Sequence, residues 1–218
     1  MEVILVFIFV AVSVSYWWLW RQKIFEKPWT NEGTEADLRD DIGSILPTAT
    51  TGLILFLAVV TSVFALFISA YFTRMELNDW NPIQEPGLLW INTVLLVLAS
   101  VSIHVSTRAD NVNIVKAALL ATGVFTVSFI WGQYAAWQQL IDAGYYLQSN
   151  PANSFFYLFT GLHGLHLLGG LWVWLWATLR IFTEVEVDRA KISVQLCRTY
   201  WHFLLIVWMV LFALLLST

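Results

Sequence analysis

Between Phe155 and Arg180 the sequence reads FFYLFTGLHGLHLLGGLWVWLWATLR, with no Asp, Glu or Lys before the closing arginine. About 20 apolar residues, rising 1.5 Å each, cross the roughly 30 Å hydrocarbon layer of a bilayer. Inside that layer every backbone polar group must find a partner within its own segment, so the stretch has to be a helix. At 100° per residue, His163, His166, Gly170 and Trp174 share one face, while Gly161, Gly164, Leu165 and Leu168 share the opposite one. Polar side chains and small residues in a membrane helix turn toward protein and away from lipid. The stretch therefore predicts a helix packed on both sides, at the centre of a bundle or against a partner.

Five more stretches, at about 3–20, 48–73, 88–107, 116–140 and 199–217, are long and apolar enough to do the same. With 59% hydrophobic residues and a mean hydropathy of +0.70, little chain is left for a soluble domain. The fold class is all-α: a polytopic membrane helical bundle of six transmembrane helices. Residues 1–47 read as an N-terminal transmembrane anchor with a cytoplasmic connector, and 48–218 as a five-helix bundle. The first stretch has its bases, Arg21, Lys23 and Lys27, after the apolar core and not before it. A cleaved signal peptide has the reverse order, so a retained anchor is expected. The connector 21–47 mixes both charges around Pro28, Gly33 and Pro47 and reads as solvated chain.

Orientation follows from the bases. With residue 1 outside, ten of the eleven Lys and Arg residues face the cytoplasm and only Arg74 is left outside. The positive-inside rule thus puts both termini on the outer, periplasmic side of the cell's inner membrane. Tryptophans near segment ends (Trp17, Trp18 and Trp20; Trp80 and Trp90; Trp201) read as interfacial belts.

All fifteen Asp and Glu residues fall in loops or at segment ends. Membrane-embedded carboxylates are the usual carriers of proton relays and ion sites, so an independent pump or ion-coupled transporter is disfavoured. Of the four histidines, His163 and His166 lack a third ligand at their depth, and hydrogen bonds across helices or to a lipid headgroup are the plainer reading. His104 and His202 lie at equal depth on different helices, where two imidazoles could grip a haem axially, although His202 sits in an interfacial cluster with Tyr200 and Trp201. The lone cysteine, Cys197, excludes an internal disulfide. Thr61, Ser62, Ser69, Asn92, Thr93, Ser100, Ser102 and Gln133 suggest bonds between packed helices. No phosphate loop, nucleophile elbow or nucleic-acid signature is present.

The run T-G-L-H-G-L-H-L-L-G-G at 160–170, followed by Arg180, resembles the most recognisable helix of subunit III of haem-copper oxidases. Tyr200-Trp201-His202-Phe203, then Val207-Trp208, is similar to that family's closing helix. Trp80 with Pro82, then Leu88 through Asn92-Thr93, is similar to its W-x-P loop and L-x-N-T helix, and Gln133 stands where the family often has a glutamine. The resemblance covers about residues 48–218 and leaves out the anchor. It is closest to a short bacterial form of five helices. Where the long form carries a glutamate and an aspartate, this chain has Val60 and Leu205.

The resemblance implies an accessory subunit of a cytochrome c oxidase type terminal oxidase, not itself catalytic. On that reading the chain has no cofactor or metal of its own, haem and copper belonging to partner subunits. The partners would be the catalytic subunit I, subunit II and others, and membrane phospholipids, with no nucleic acid. Such a subunit stabilises the complex, holds structural phospholipid and supports proton uptake. Lipid and packing contacts are expected at His163, His166, Gly161, Gly164, Arg180, His202 and Trp201. Two other readings remain open from the residues: the accessory protein of nitric oxide reductase, and an independent haem-binding cytochrome using His104 and His202. The electron donor, cytochrome c or quinol, leaves no trace in this chain.

Overall fold

The computed structural model describes residues 13, 48–82, 86–183 and 187–217. Ser13 apart, the anchor expected over 3–20 and the connector over 21–47 lie outside the described residues. Five helices follow in order: α1 (Thr48–Met75), α2 (Leu88–Arg108), α3 (Val112–Asp142), α4 (Pro151–Phe182) and α5 (Val187–Leu216). Each is long and apolar enough to cross a membrane.

α3 and α4 outrun their apolar stretches, and polar caps set where they begin. Asn111 caps α3, its side chain accepting from Asn113 N–H at 2.9 Å. Asn150 caps α4 by accepting from Ala152 N–H, and Pro151 occupies the first turn, where its missing N–H costs nothing. The Asn150 side chain also donates to the Asn81 carbonyl, tying the two loops on this side together. The largest departure from expectation is α5. Residues 187–198 read as loop from their charges, yet they extend the helix. Val194, Cys197, Tyr200, Trp201 and Leu204 are all buried, so a core-facing stripe at helical spacing continues below the apolar run.

α2 and α3 form one antiparallel hairpin, and α4 and α5 another. α2 packs on α5 and α3 on α4, which closes a four-helix bundle. α1 leans on one edge, touching only α4 and α5 to any extent. Its contacts run through Val60, Phe64 and Tyr71, packed with Phe159, Leu211 and Leu214.

Three indole–hydroxyl bonds pin the bundle. Trp208 Nε1 donates to Thr93 Oγ1 (2.9 Å), joining α5 to α2. Trp201 Nε1 donates to Thr126 Oγ1 (3.1 Å), joining α5 to α3, and Trp137 Nε1 to Thr160 Oγ1 (3.0 Å), joining α3 to α4. Each threonine meanwhile spends its own proton on the carbonyl four residues back, that of Leu89, Thr122 or Phe156. The hydroxyl lone pair is thus left for the indole, and a tryptophan can be buried with its N–H satisfied. Trp201 is accordingly core, not an interfacial residue as expected. Trp80 departs likewise: it is half-buried, with Tyr71 edge-on at 4.8 Å. Trp90 is exposed, as a belt residue should be. At Gly123 an added Cβ would lie 2.3 Å from Trp174, so the absence of a side chain lets α3 and α4 approach.

Candidate functional site

The face of α4 read from the sequence is partly what the structure shows. Thr160, His163, Leu167 and Gly170 are buried at the three- and four-residue spacing of one helix side. His163 is enclosed by Phe129 (centroids 5.8 Å apart, edge-on) and Trp208 (5.2 Å). Neither of its ring nitrogens has a hydrogen-bond partner among the described residues. His166 is half-buried, and its Nδ1 donates to the Leu162 carbonyl of its own helix at 2.7 Å. Among the described residues neither side chain bonds across helices, one of the two contacts expected of them. On the opposite face, Gly161 is within ordinary contact reach of Trp137, whereas Gly164 meets nothing within 4 Å and Leu165 and Leu168 are exposed. Around Gly164, Leu165 and Leu168 that face is therefore left open by the described residues.

His166 belongs instead to a cleft of about 490 Å³ between α1, α4 and α5. Leu53 and Phe56 of α1, Leu165, Gly169, Gly170 and Val173 of α4, and Leu196, Cys197, Tyr200 and Trp201 of α5 line it with His166. The Tyr200 hydroxyl donates to the His166 carbonyl at 2.9 Å, and its ring lies where a Cβ on Gly170 would come within 2.6 Å. Gly170 thus admits Tyr200, and Tyr200 floors the cleft. Phe56 covers it from α1, its ring 6.1 Å from Tyr200 and 6.4 Å from His166. The lining is mostly apolar with a few polar atoms. Phe56, Gly170 and Tyr200 were not among the expected contacts, though Tyr200 stood inside a quoted motif.

His202 is held by α2. Its Nδ1 lies 2.6 Å from Ser100 Oγ and its Nε2 3.2 Å from His104 Nδ1. Two imidazoles gripping a haem axially need their nitrogens about 4 Å apart on bonds of about 2 Å, with the porphyrin between them. The pair is closer than that, the two imidazoles being hydrogen-bonded to one another. Arg180 is exposed near the end of α4. Toward the same end Arg198 donates to Thr107 Oγ1 at 3.1 Å, and Lys116 Nζ sits 5.3 Å from the Phe182 ring centroid. Val60 is buried among apolar neighbours and Leu205 half-buried, so both positions where the resemblance has carboxylates are packed with hydrocarbon.

Fold and site together define a class: a multi-pass helical membrane protein whose spans carry indoles, hydroxyls and imidazoles but no carboxylate among the described interior positions. The family model for cytochrome c oxidase subunit III matches residues 1–217. Cytochrome c oxidase subunit 3 of Thermostichus vulcanus is 30% identical over 172 residues, which cover 75% of this chain and 84% of the relative. The protein of that name from Synechocystis is 31% identical over 173 residues, 75% of this chain and 72% of the relative. A haem-copper oxidase subunit I+III of Aeropyrum pernix is 25% identical over 173 residues, covering 73% of this chain and 21% of that longer protein. The chain belongs to the cytochrome c oxidase subunit III family. The family match begins at residue 1, so it takes in the N-terminal stretch that the motif resemblance left out.

Proposed function

We propose that this chain is the accessory subunit III of a bacterial haem-copper terminal oxidase, seated against the catalytic subunit I, with subunit II and others in the same complex. The observation that carries the reading is the family match over residues 1–217. The Aeropyrum relative, named as subunit I+III, supports subunit I as the partner. On this reading the redox centres belong to the partner chains. Structural phospholipid lies with an acyl chain in the cleft floored by Tyr200, and exposed Arg180 meets anionic headgroups at the inner surface. The chain sustains proton uptake indirectly, through shape and lipid, since Val60 and Leu205 supply no acid. Both termini face outward, because Arg108, Arg180 and Arg198 cluster toward one end of the helices and Arg74 stands at the other.

A tag on this chain tests the reading. Gentle solubilisation should bring down a haem-containing complex that reduces dioxygen and retains phospholipid detectable by mass spectrometry. Gly164→Leu, on the open face of α4, should release the subunit from that complex without unfolding it. Recovery of the chain without a haem protein, or with one that turns over nitric oxide and not dioxygen, overturns the proposal.

A further inference from the structure

Where α2 packs on α5, toward the end shared with Arg108 and Arg198, two imidazoles bond directly to one another. His104 Nδ1 lies 3.2 Å from His202 Nε2, and the ring centroids are 5.4 Å apart. On its far side the His202 ring meets Ser100 of α2, its Nδ1 lying 2.6 Å from Oγ. His202 is thus clasped between two α2 side chains one helical turn apart. Whichever tautomers the rings adopt, one of the two facing nitrogens must carry a proton and the other must offer its lone pair. With both rings neutral the bond forms. With one ring charged it still forms, as an imidazolium N–H donating to a neutral imidazole, and the charge strengthens it. With both rings charged, two N–H groups face each other and no acceptor is left.

We propose that His104 and His202 form a one-proton latch between α2 and α5, closed while the pair holds at most one added proton and opened by the second. The surroundings offer that second charge little relief. On α5, Arg198 stands one turn before His202, directed to Thr107 Oγ1 at 3.1 Å, and its charge reaches the His202 ring. Cys197 and Tyr200 of α5 turn to the cleft instead. Asp188, Arg189 and Lys191 begin the same helix, about 16–21 Å along its axis from His202. On α2, Arg108 follows His104 by one turn, and Asp110 is exposed in the turn beyond. α3 brings Lys116 to this end, over the Phe182 ring, and α4 brings exposed Arg180. α1 has no titratable side chain before Tyr71, near its other end. Both rings are half-buried, so protons reach them without unfolding. The open contact binds one proton more than the closed one, so the stability it adds is present at neutral pH and lost as pH falls. Histidine titrates between about pH 5 and 8, which sets the range over which the latch works. The latch rests on these side chains alone and stands or falls separately from the oxidase reading.

Nuclear magnetic resonance on the full chain, labelled with nitrogen-15 at histidine and held in micelles, tests the latch without any variant. At about pH 8 a scalar coupling should cross the hydrogen bond between the two facing nitrogens. As pH is lowered toward about 5, that coupling should vanish in the step in which the second ring takes its proton, read from the ring nitrogen shifts. Over the same range the thermal midpoint of the wild-type chain should fall by about 2–4 °C. His104→Asn places an amide where Nδ1 stood, able to donate to neutral His202 or accept from the charged ring, and should remove that fall. No coupling at about pH 8, a coupling that survives protonation of both rings, or an equal fall in His104→Asn overturns the proposal.

Discussion

α1 and the four helices beside it live by different rules. α1 is the most apolar of the five, yet 11% of its apolar window is buried, against 44% for α5. In water that would be paradoxical. In lipid it is expected, because hydrocarbon gains little by leaving hydrocarbon and helices associate through close packing and polar bonds. The hydroxyls show the same division. Thr61, Ser62 and Thr73 of α1 each donate to a carbonyl four residues back in their own helix and stay exposed. Thr93, Thr126 and Thr160 do the same and accept an indole N–H from a neighbour as well. What separates the regions is the second bond, not the residue type.

Substitution should expose that division, most strongly at the bundle centre. Trp208→Ala removes a fully buried ring packed on His163 and Phe129 together with its bond to Thr93, and should cost about 3–5 kcal/mol in thermal unfolding in micelles. Val59→Ala on the exposed side of α1 should stay within about 0.5 kcal/mol; equal losses at the two sites would abolish the distinction. Next come two glycines. Gly123→Ala drives a Cβ against Trp174 and should cost about 1–3 kcal/mol, while Gly52→Ala in α1 meets nothing within 4 Å and should be neutral or slightly stabilising. A similar loss at Gly52 would mean that α1 packs more tightly than described.

The smallest effect concerns acid. Arg74 Nη1 donates to Asp79 Oδ1 at 2.6 Å and Nη2 donates to Oδ2, and this bonding holds the Asp79 carboxyl below its ordinary value. A carboxylate with a lowered folded-state pKa adds stability above its unfolded value of about 3.9, and that stability is lost as pH falls through the folded value. Both side chains are accessible to solvent, so the effect is small and salt-sensitive. Melting curves taken as the pH falls below about 4 should show it in the wild-type chain and not in Asp79→Asn.

Much of this was legible in the residues. Apolar length located five helices, and the arithmetic of 100° per residue put His163 and Gly170 on a common face that proved buried. Equal distance from span ends placed His104 and His202 at one depth, and the structure brings them into contact. The choice of partner across helices was not legible. Nothing local to Trp201 announces Thr126, 75 residues away, so it read as an interfacial residue. Charge misled at 187–198, where a helix continues past the apolar layer because one side of it is still covered.

The edge position of α1 bears on how the molecule is made. α1 ends at Met75, and its first substantial neighbour, α4, begins at Pro151. At synthesis rates of about 5–20 residues per second, the ribosome needs roughly 4–15 s to reach that point. During that interval α1 lacks its substantial neighbours among the described helices, with Thr61, Ser62 and Thr73 already satisfied by its own backbone. A helix that is content in lipid before its neighbours exist gains little from them afterwards, and so it remains at the margin of the finished protein.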